Sequence, residues 1–251
     1  MRPALKALRA HALRALALLV LCLFALQAAF LLRIALMAWL NPQSTTFQRS
    51  EAWRLLTEQS GAGWSQQWVD DEHIAQTLKR AAIASEDAGF VDHQGIEWDA
   101  MELAWKKNLR VQAKAQQSSR SAAKAARAPK VVGASTITQQ LAKNLLLSGE
   151  RTTLRKGQEL ILTLMLEGLL SKQRILTIYL NNVEWGEGLF GAQAAAAYYF
   201  RSDAAQLSAE QAARLAVMLP APKRFEKQPS SAYVLSRAAT IVARMPAVDI
   251  P

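Results

Sequence analysis

Cysteine is all but absent. Cys22 stands alone, which excludes an internal disulfide framework, a zinc ribbon and a Cys-x-x-Cys redox site. Histidine is nearly as scarce, and His11, His73 and His93 show no His-Glu-x-x-His or other metal-ligand spacing. A metal in this chain would have to be held by carboxylates or by substrate phosphates. No segment alternates polar and apolar residues for long, and no Asn-Gly pair joins β-branched runs, so strand content should be small. The 251 residues suit one domain with an appendage and are too few for two full enzymatic domains. With 51% hydrophobic and 20% charged residues, a wholly disordered chain is excluded.

Acidic residues are missing from positions 1–40, which carry Arg2, Lys6, Arg9, Arg14 and Arg33. The net charge is +10, so the rest holds 25 basic against 20 acidic residues and is only moderately basic. Such an excess favours a phosphate-bearing partner or an anionic membrane surface. A nucleic-acid binder needs basic residues interleaved with exposed aromatics, whereas the aromatics here fall mostly in apolar helical stripes, so no nucleic-acid partner is expected.

From Ala15 to Leu32 run 18 residues without a charge, and the apolar run resumes after Arg33 as IALMAWL. At about 1.5 Å per residue the uninterrupted part alone reaches roughly 27 Å, close to the hydrocarbon thickness of a bilayer. Arg33 can snorkel to the headgroups, and Trp39 suits the interface. The basic residues that precede the span place the N-terminus in the cytoplasm and the main body outside. A cleaved signal peptide is the competing reading, but the run exceeds the usual apolar core, and the small residues around Ala25 to Ala29 lie inside the span. The expected organisation is a basic tail over 1–14, an anchor over 15–40, a membrane-proximal segment over 41–74 and the main domain over 75–251.

Asn41 and Pro42 end the span. Trp64 and Trp68 are four apart and would share a helical face, either packed on the domain or set in an interfacial belt. From Asp71 onward IAQTLKRAAIAS, LILTLMLEGLL, KQRILTIYLN, AQAAAAYYF, SAEQAARLAVML and YVLSRAATIVARM carry 3.6-residue spacing and strong helix formers, and the class is mainly α. Leu160 to Leu170 is too short to span and reads as a buried core helix. Residues 112–130 are basic, of low complexity and without an apolar stripe, the composition of a mobile insert. Ser121-x-x-Lys124 within them matches a penicillin-binding spacing, but no Ser-Asp-Asn or Lys-Thr-Gly exists to complete it.

Four clusters carry the unusual polar residues. Glu86-Asp87 with Phe90 and His93 follows a helix; it reads as turn and capping chemistry or, in a cleft, as a general base whose pKa rises through burial and the Asp87 charge. Thr136 and Gln139 fit a capping box, so a helix should begin near Ser135. On it Ser135, Gln139 and Lys143 would form one polar stripe, a solvated face or an anion and sugar site. Arg151, Arg155, Lys156 and Glu159 lead into an apolar helix; Arg155 and Glu159 can pair at i, i+4, and three cations with a carboxylate also suit a diphosphate and its divalent metal. The fourth cluster, Lys172 to Asn182 with Gly186, Gly188 and Gly191, places a glycine-rich turn between helices, more often a packing device than a ligand site.

In this order EDAGFVDHQG, GASTITQQLAKNLLL, RKGQE, KQRILTIYLN and GEGLFGAQAAAAYYF resemble the peptidoglycan glycosyltransferase family, in its monofunctional biosynthetic form, over about residues 75–222. The resemblance implies a lysozyme-like fold at the bacterial cytoplasmic membrane that polymerises lipid II into glycan strands. It implies Glu86 as the base that deprotonates the lipid II 4-hydroxyl, with attack on C1 of the growing chain, inversion and departure of undecaprenyl diphosphate. Lys143, Arg151 and Arg155 would stabilise the diphosphate. Glu159 would be the second acidic residue, organising the cations or a divalent metal, Mg2+ or Mn2+. Asp87, Phe90, His93, Ser135, Thr136, Gln139 and Gln140 would line the substrate site. Proteins of cell-wall synthesis or division are the further partners implied. Ala134 stands where the family often has glycine, and Arg174 where some members carry glutamate, which leaves the second acidic role to Glu159. A diphosphate leaving group needs charge neutralisation more than protonation, and one base with several cations supplies it. Two other readings stay open on the residues alone, a lytic glycosidase with Glu86 as general acid and a non-catalytic membrane scaffold.

Overall fold

The computed structural model describes residues 2–58, 63–99, 101–103, 106–107, 109–111, 135–147, 149 and 152–251. The insert 112–130 and Arg151 lie outside them. The architecture is mainly α. The long helices are α1 (Arg2–Leu36), α2 (Thr46–Glu58), α3 (Gln76–Glu86), α4 (Ile137–Leu146), α5 (Thr153–Leu169), α6 (Lys172–Asn182), α7 (Ala192–Phe200), α8 (Ala209–Met218) and α10 (Ala232–Arg244), with the single turn α9 (Pro222–Phe225) between the last two.

Local sequence sets most helix starts. The side chains of Thr152, Ser171 and Ser231 each accept a hydrogen bond from a first-turn amide. Thr136 with Gln139 and Ser208 with Gln211 form full capping boxes. In the core α3 packs on α8, and α8 on α10. The facing residues are small: Ala81, Ala82, Ala84, Ala212, Ala213 and Ala216 are buried, which lets the backbones approach closely. A second layer sets α4 between α2, α5 and α6. The two layers meet where α3 ends and α4 begins.

The strands are short. β1 (Ser65–Gln66) runs parallel to β3 (Leu189–Phe190), which pairs antiparallel with β2 (Glu184–Gly186), giving the order β1-β3-β2. The glycine-rich turn after α6 is therefore a small hairpin. Trp64 and Trp68 do not share a helical face, because β1 lies between them; Trp64 packs on Phe190 with ring centroids 4.7 Å apart, and the Arg174 guanidinium lies over the Trp68 ring.

Among the described residues one helix is long and apolar enough to cross a membrane, Leu8–Leu36. It begins earlier and ends sooner than the apolar run alone indicates, because the basic first turns stay helical and the backbone turns at 37–39. Its C-terminal end is docked on the domain. Ile34 and Met37 are buried, Gln27 and Gln158 exchange reciprocal amide hydrogen bonds of 2.9 and 3.1 Å, and Arg174 donates to the carbonyls of Met37 and Leu40 and to Asn41 Oδ1. Beside it α5 is only half a core helix. Leu162 and Leu166 are buried, but Leu160, Ile161 and Leu164 are exposed, so the expectation of a fully buried helix fails on the face next to the anchor.

Gly191 opens α7 at φ 84° and ψ 154°, a region that a side chain strains, and a Cβ there would lie 2.7 Å from the Asn181 carbonyl oxygen. Gly191→Ala is expected to lower unfolding free energy by about 2–4 kcal/mol. Denaturant titration checks this; a loss under about 0.5 kcal/mol would contradict the strain.

Candidate active site

Glu86 is the last residue of α3 and Asp87 its C-cap, so adjacent carboxylates leave the helix end in different directions. Asp87 is buried and fully engaged. One oxygen accepts from the Ile137 amide at the start of α4 at 2.9 Å, and the other lies 2.7 Å from His93 Nε2, whose Nδ1 accepts from the Gly95 amide. Phe90 is buried beneath the Lys172 ammonium, and Lys172 also reaches the His93 carbonyl and Glu167. Asp87, Phe90 and His93 thus face protein groups and brace the loop that follows Glu86.

Glu86 is half-buried. Its Oε2 accepts from Gln140 Nε2 at 2.8 Å, and the Gln140 carbonyl oxygen accepts from the Tyr179 hydroxyl at 3.1 Å. Burial pushes the Glu86 carboxyl above the ordinary glutamate range; the Gln140 and Ser85 hydrogen bonds oppose this, the Asp87 charge adds to it and the Lys143 charge counters it. A carboxylate so placed is a stronger base than a solvated one.

Thr136 caps α4 and donates to the Gly95 carbonyl, while Gln139 closes the capping box from a buried position. Ser135 precedes the cap and is exposed. The expected stripe of Ser135, Gln139 and Lys143 therefore does not form, because the cap turns Gln139 back on the backbone. Gln140 and Lys143 instead line a cleft of about 360 Å³, together with Asn144, Arg155, Glu184 and Phe47. The structure brings Glu86, Gln140, Lys143 and Arg155 to one side of α4.

On α5 both Glu159 oxygens are taken, one by Arg155 at 3.2 Å and the other by the Lys156 ammonium. The pairing holds Arg155 against the cleft, where its Nε is buried without a hydrogen-bond partner. Among the described residues no three His, Cys, Asp or Glu side chains gather as ligands for a metal. A carboxylate already neutralised by two cations is a poor divalent-ion ligand, so the donor set among the described residues does not fit Mg2+ or Mn2+.

Glu184 had no signal in the sequence. It is 7% exposed on the cleft wall, its Oε1 makes no hydrogen bond, and Lys223 Nζ lies 3.6 Å away. Burial drives its pKa up to about 7, with the nearby Lys223 charge opposing and the Glu51 and Glu226 charges adding. Its place at the start of β2, directly after α6, puts it on the cleft wall that Gln140 and Lys143 also line.

Comparison with known proteins decides the family. The sequence model of the transglycosylase family matches residues 54–246. The chain belongs to the transglycosylase family. It is 48% identical over 227 residues to the biosynthetic peptidoglycan transglycosylase of Paraburkholderia phytofirmans, covering 90% of this chain and 88% of that protein. To the protein of the same name from Burkholderia pseudomallei it is 50% identical over 227 residues, covering 90% of this chain and 82% of that one. The helical architecture is the family's lysozyme-like fold, and the family is one of glycosyltransferases.

The raised carboxyl of Glu184 sets a pH dependence. Its folded pKa exceeds the ordinary glutamate value, so the folded state holds the extra proton and stability falls as pH rises from about 4.5 towards 7. Glu184→Gln, which mimics the protonated form, is expected to gain about 1–3 kcal/mol at pH 8 and nothing at pH 4. Thermal unfolding at both pH values tests this; equal stability at pH 8 would show that Glu184 carries no such penalty.

Proposed function

We propose that this transglycosylase polymerises lipid II into peptidoglycan glycan strands. The observation that carries the reading is the convergence on α4: a half-buried carboxylate, Glu86, held by Gln140, one helical turn from the Lys143 ammonium that lines the same cleft as Arg155. Glu86 takes the proton from the 4-hydroxyl of the lipid II N-acetylglucosamine as that oxygen bonds to C1 of the N-acetylmuramic acid at the reducing end of the growing chain. The C1–oxygen bond to undecaprenyl diphosphate breaks with inversion, and its electron pair leaves on the diphosphate. Lys143 and Arg155 neutralise that charge, Arg151 joins them, and Glu159 fixes the reach of Arg155. Asp87, His93, Thr136 and Gln139 hold the geometry, and Ser135 faces the open side where sugar enters.

The docked anchor supports the same reading. Gln27 lies well inside the Leu8–Leu36 span, so its partner Gln158 sits at a depth where unpaired amides are costly, and the exposed apolar residues of α5 share that depth. A cleft beginning at this level meets a polyprenyl substrate without drawing its tail into water. The basic first turns put the N-terminus in the cytoplasm and the domain outside the cytoplasmic membrane.

Glu86→Gln is expected to lower polymerisation by about 10²–10⁴-fold with the fold intact, measured as labelled lipid II converted to longer products. Retention of a tenth of the activity would remove the base role. Lys143→Ala should cost about 10–100-fold in turnover with thermal stability nearly unchanged. Glu184 in the same cleft gives a lytic reading, with Glu86 and Glu184 as an acid and base pair, its one support; release of fragments from preformed glycan would decide for it.

A further inference from the structure

We propose that Tyr179 is a positioning residue for Glu86, acting through Gln140: its buried hydroxyl fixes which end of the Gln140 amide faces the carboxylate. The inference rests on Glu86 being the base and deepens that reading.

The Gln140 amide has one accepting and one donating end, and it lies between two groups of unlike demand. Tyr179, on α6 and 1% exposed, donates its hydroxyl to the oxygen, which leaves the NH2 end to donate to Glu86. Turned over, the amide would set its oxygen against Glu86 Oε2, a contact of two acceptors tolerable only if Glu86 already held a proton. That rotation would also take away the acceptor of the buried Tyr179 hydroxyl proton, which has no other among the described residues, so Tyr179 opposes it. The pair therefore selects the ionised carboxylate, the form able to accept the sugar proton, and the same amide resists the protonated form afterwards, which speeds return of the base.

Tyr179 is suited to this because it does not titrate. Burial, with the Glu86 and Asp87 charges close by, pushes its pKa well above 10, so the phenol stays a donor throughout the working range. The other groups that bear on Glu86 are Asp87 beside it, Ser85 Oγ at 3.4 Å and Lys143 on α4. Charged groups on the remaining elements around α3 and α6 turn elsewhere. Glu210 bonds Ser208, Arg214 reaches Pro229 and Ser230, Lys172 pairs with Glu167, and Arg174 holds the anchor. Arg237 and Arg244 on α10 are exposed.

The test is Tyr179→Phe in the full-length protein in detergent, which removes one oxygen and keeps the ring. Polymerisation of labelled lipid II is followed across pH, and the carboxyl of Glu86 is titrated by carbon-13 NMR. The acid limb of kcat/KM and the Glu86 titration should both move up by about half to one pH unit, with KM within about twofold and kcat at pH 6 reduced about three- to tenfold. In a Gln140→Leu background the same change should have no further effect. An unmoved Glu86 titration, or a uniform loss of activity at every pH, overturns the proposal and leaves Tyr179 a packing residue. Because the titration reads Glu86 directly, it would still move if Glu86 were not the base; that failure appears instead as activity surviving Glu86→Gln.

Discussion

The geometry of the candidate site is referred to the buried carboxylate of Asp87. It ends α3, receives the first amide of α4 and holds His93, so a single side chain fixes the angle between the helix that brings Glu86 and the helix that brings Gln140 and Lys143. A helix N-terminus is a favourable place for a negative charge, and a buried carboxylate without such partners would be costly. Loss of this tie would let α4 rotate, and Glu86 and Lys143 would no longer lie on one side of it.

Three glutamates show how burial and neighbours divide roles among identical side chains. Glu159 is buried but neutralised by Arg155 and Lys156, which makes it a brace. Glu86 is half-buried, takes a hydrogen bond from the Gln140 amide and is raised by burial above the ordinary glutamate range, which makes it more basic. Glu184 is buried with a lysine at 3.6 Å and other carboxylates around it, so its proton is held to about pH 7. The same chemistry recurs at the membrane junction in neutral form, where Gln27 and Gln158 satisfy one another and Arg174 closes off backbone carbonyls left open by the end of α1.

Much of this was legible in the chain. The apolar run from Ala15, the 3.6-residue periodicity after Asp71 and the Thr136–Gln139 box depend on neighbours within one or two turns, and each appears as a helix or a cap where the pattern puts it. The i, i+4 pair of Arg155 and Glu159 is of the same kind. The Ser135–Gln139–Lys143 stripe does not form because a capping side chain cannot also face solvent, and the exposed face of α5 escapes the pattern because periodicity records which residues are apolar and not which solvent they meet.

By itself, then, the sequence determined the helices, the Thr136–Gln139 cap, a first helix apolar and long enough to cross a membrane, and the family, since each follows from local spacing or from ordered motifs. Tertiary structure alone decided that Tyr179 reaches Gln140 across 39 positions, that Gln140 reaches Glu86 across 54, and that Glu184, at the start of β2, lines the cleft with Lys143 and Arg155. Those contacts join residues far apart in the chain, and only packing of one helix layer on another sets the distances on which hydrogen bonding and proton affinity depend.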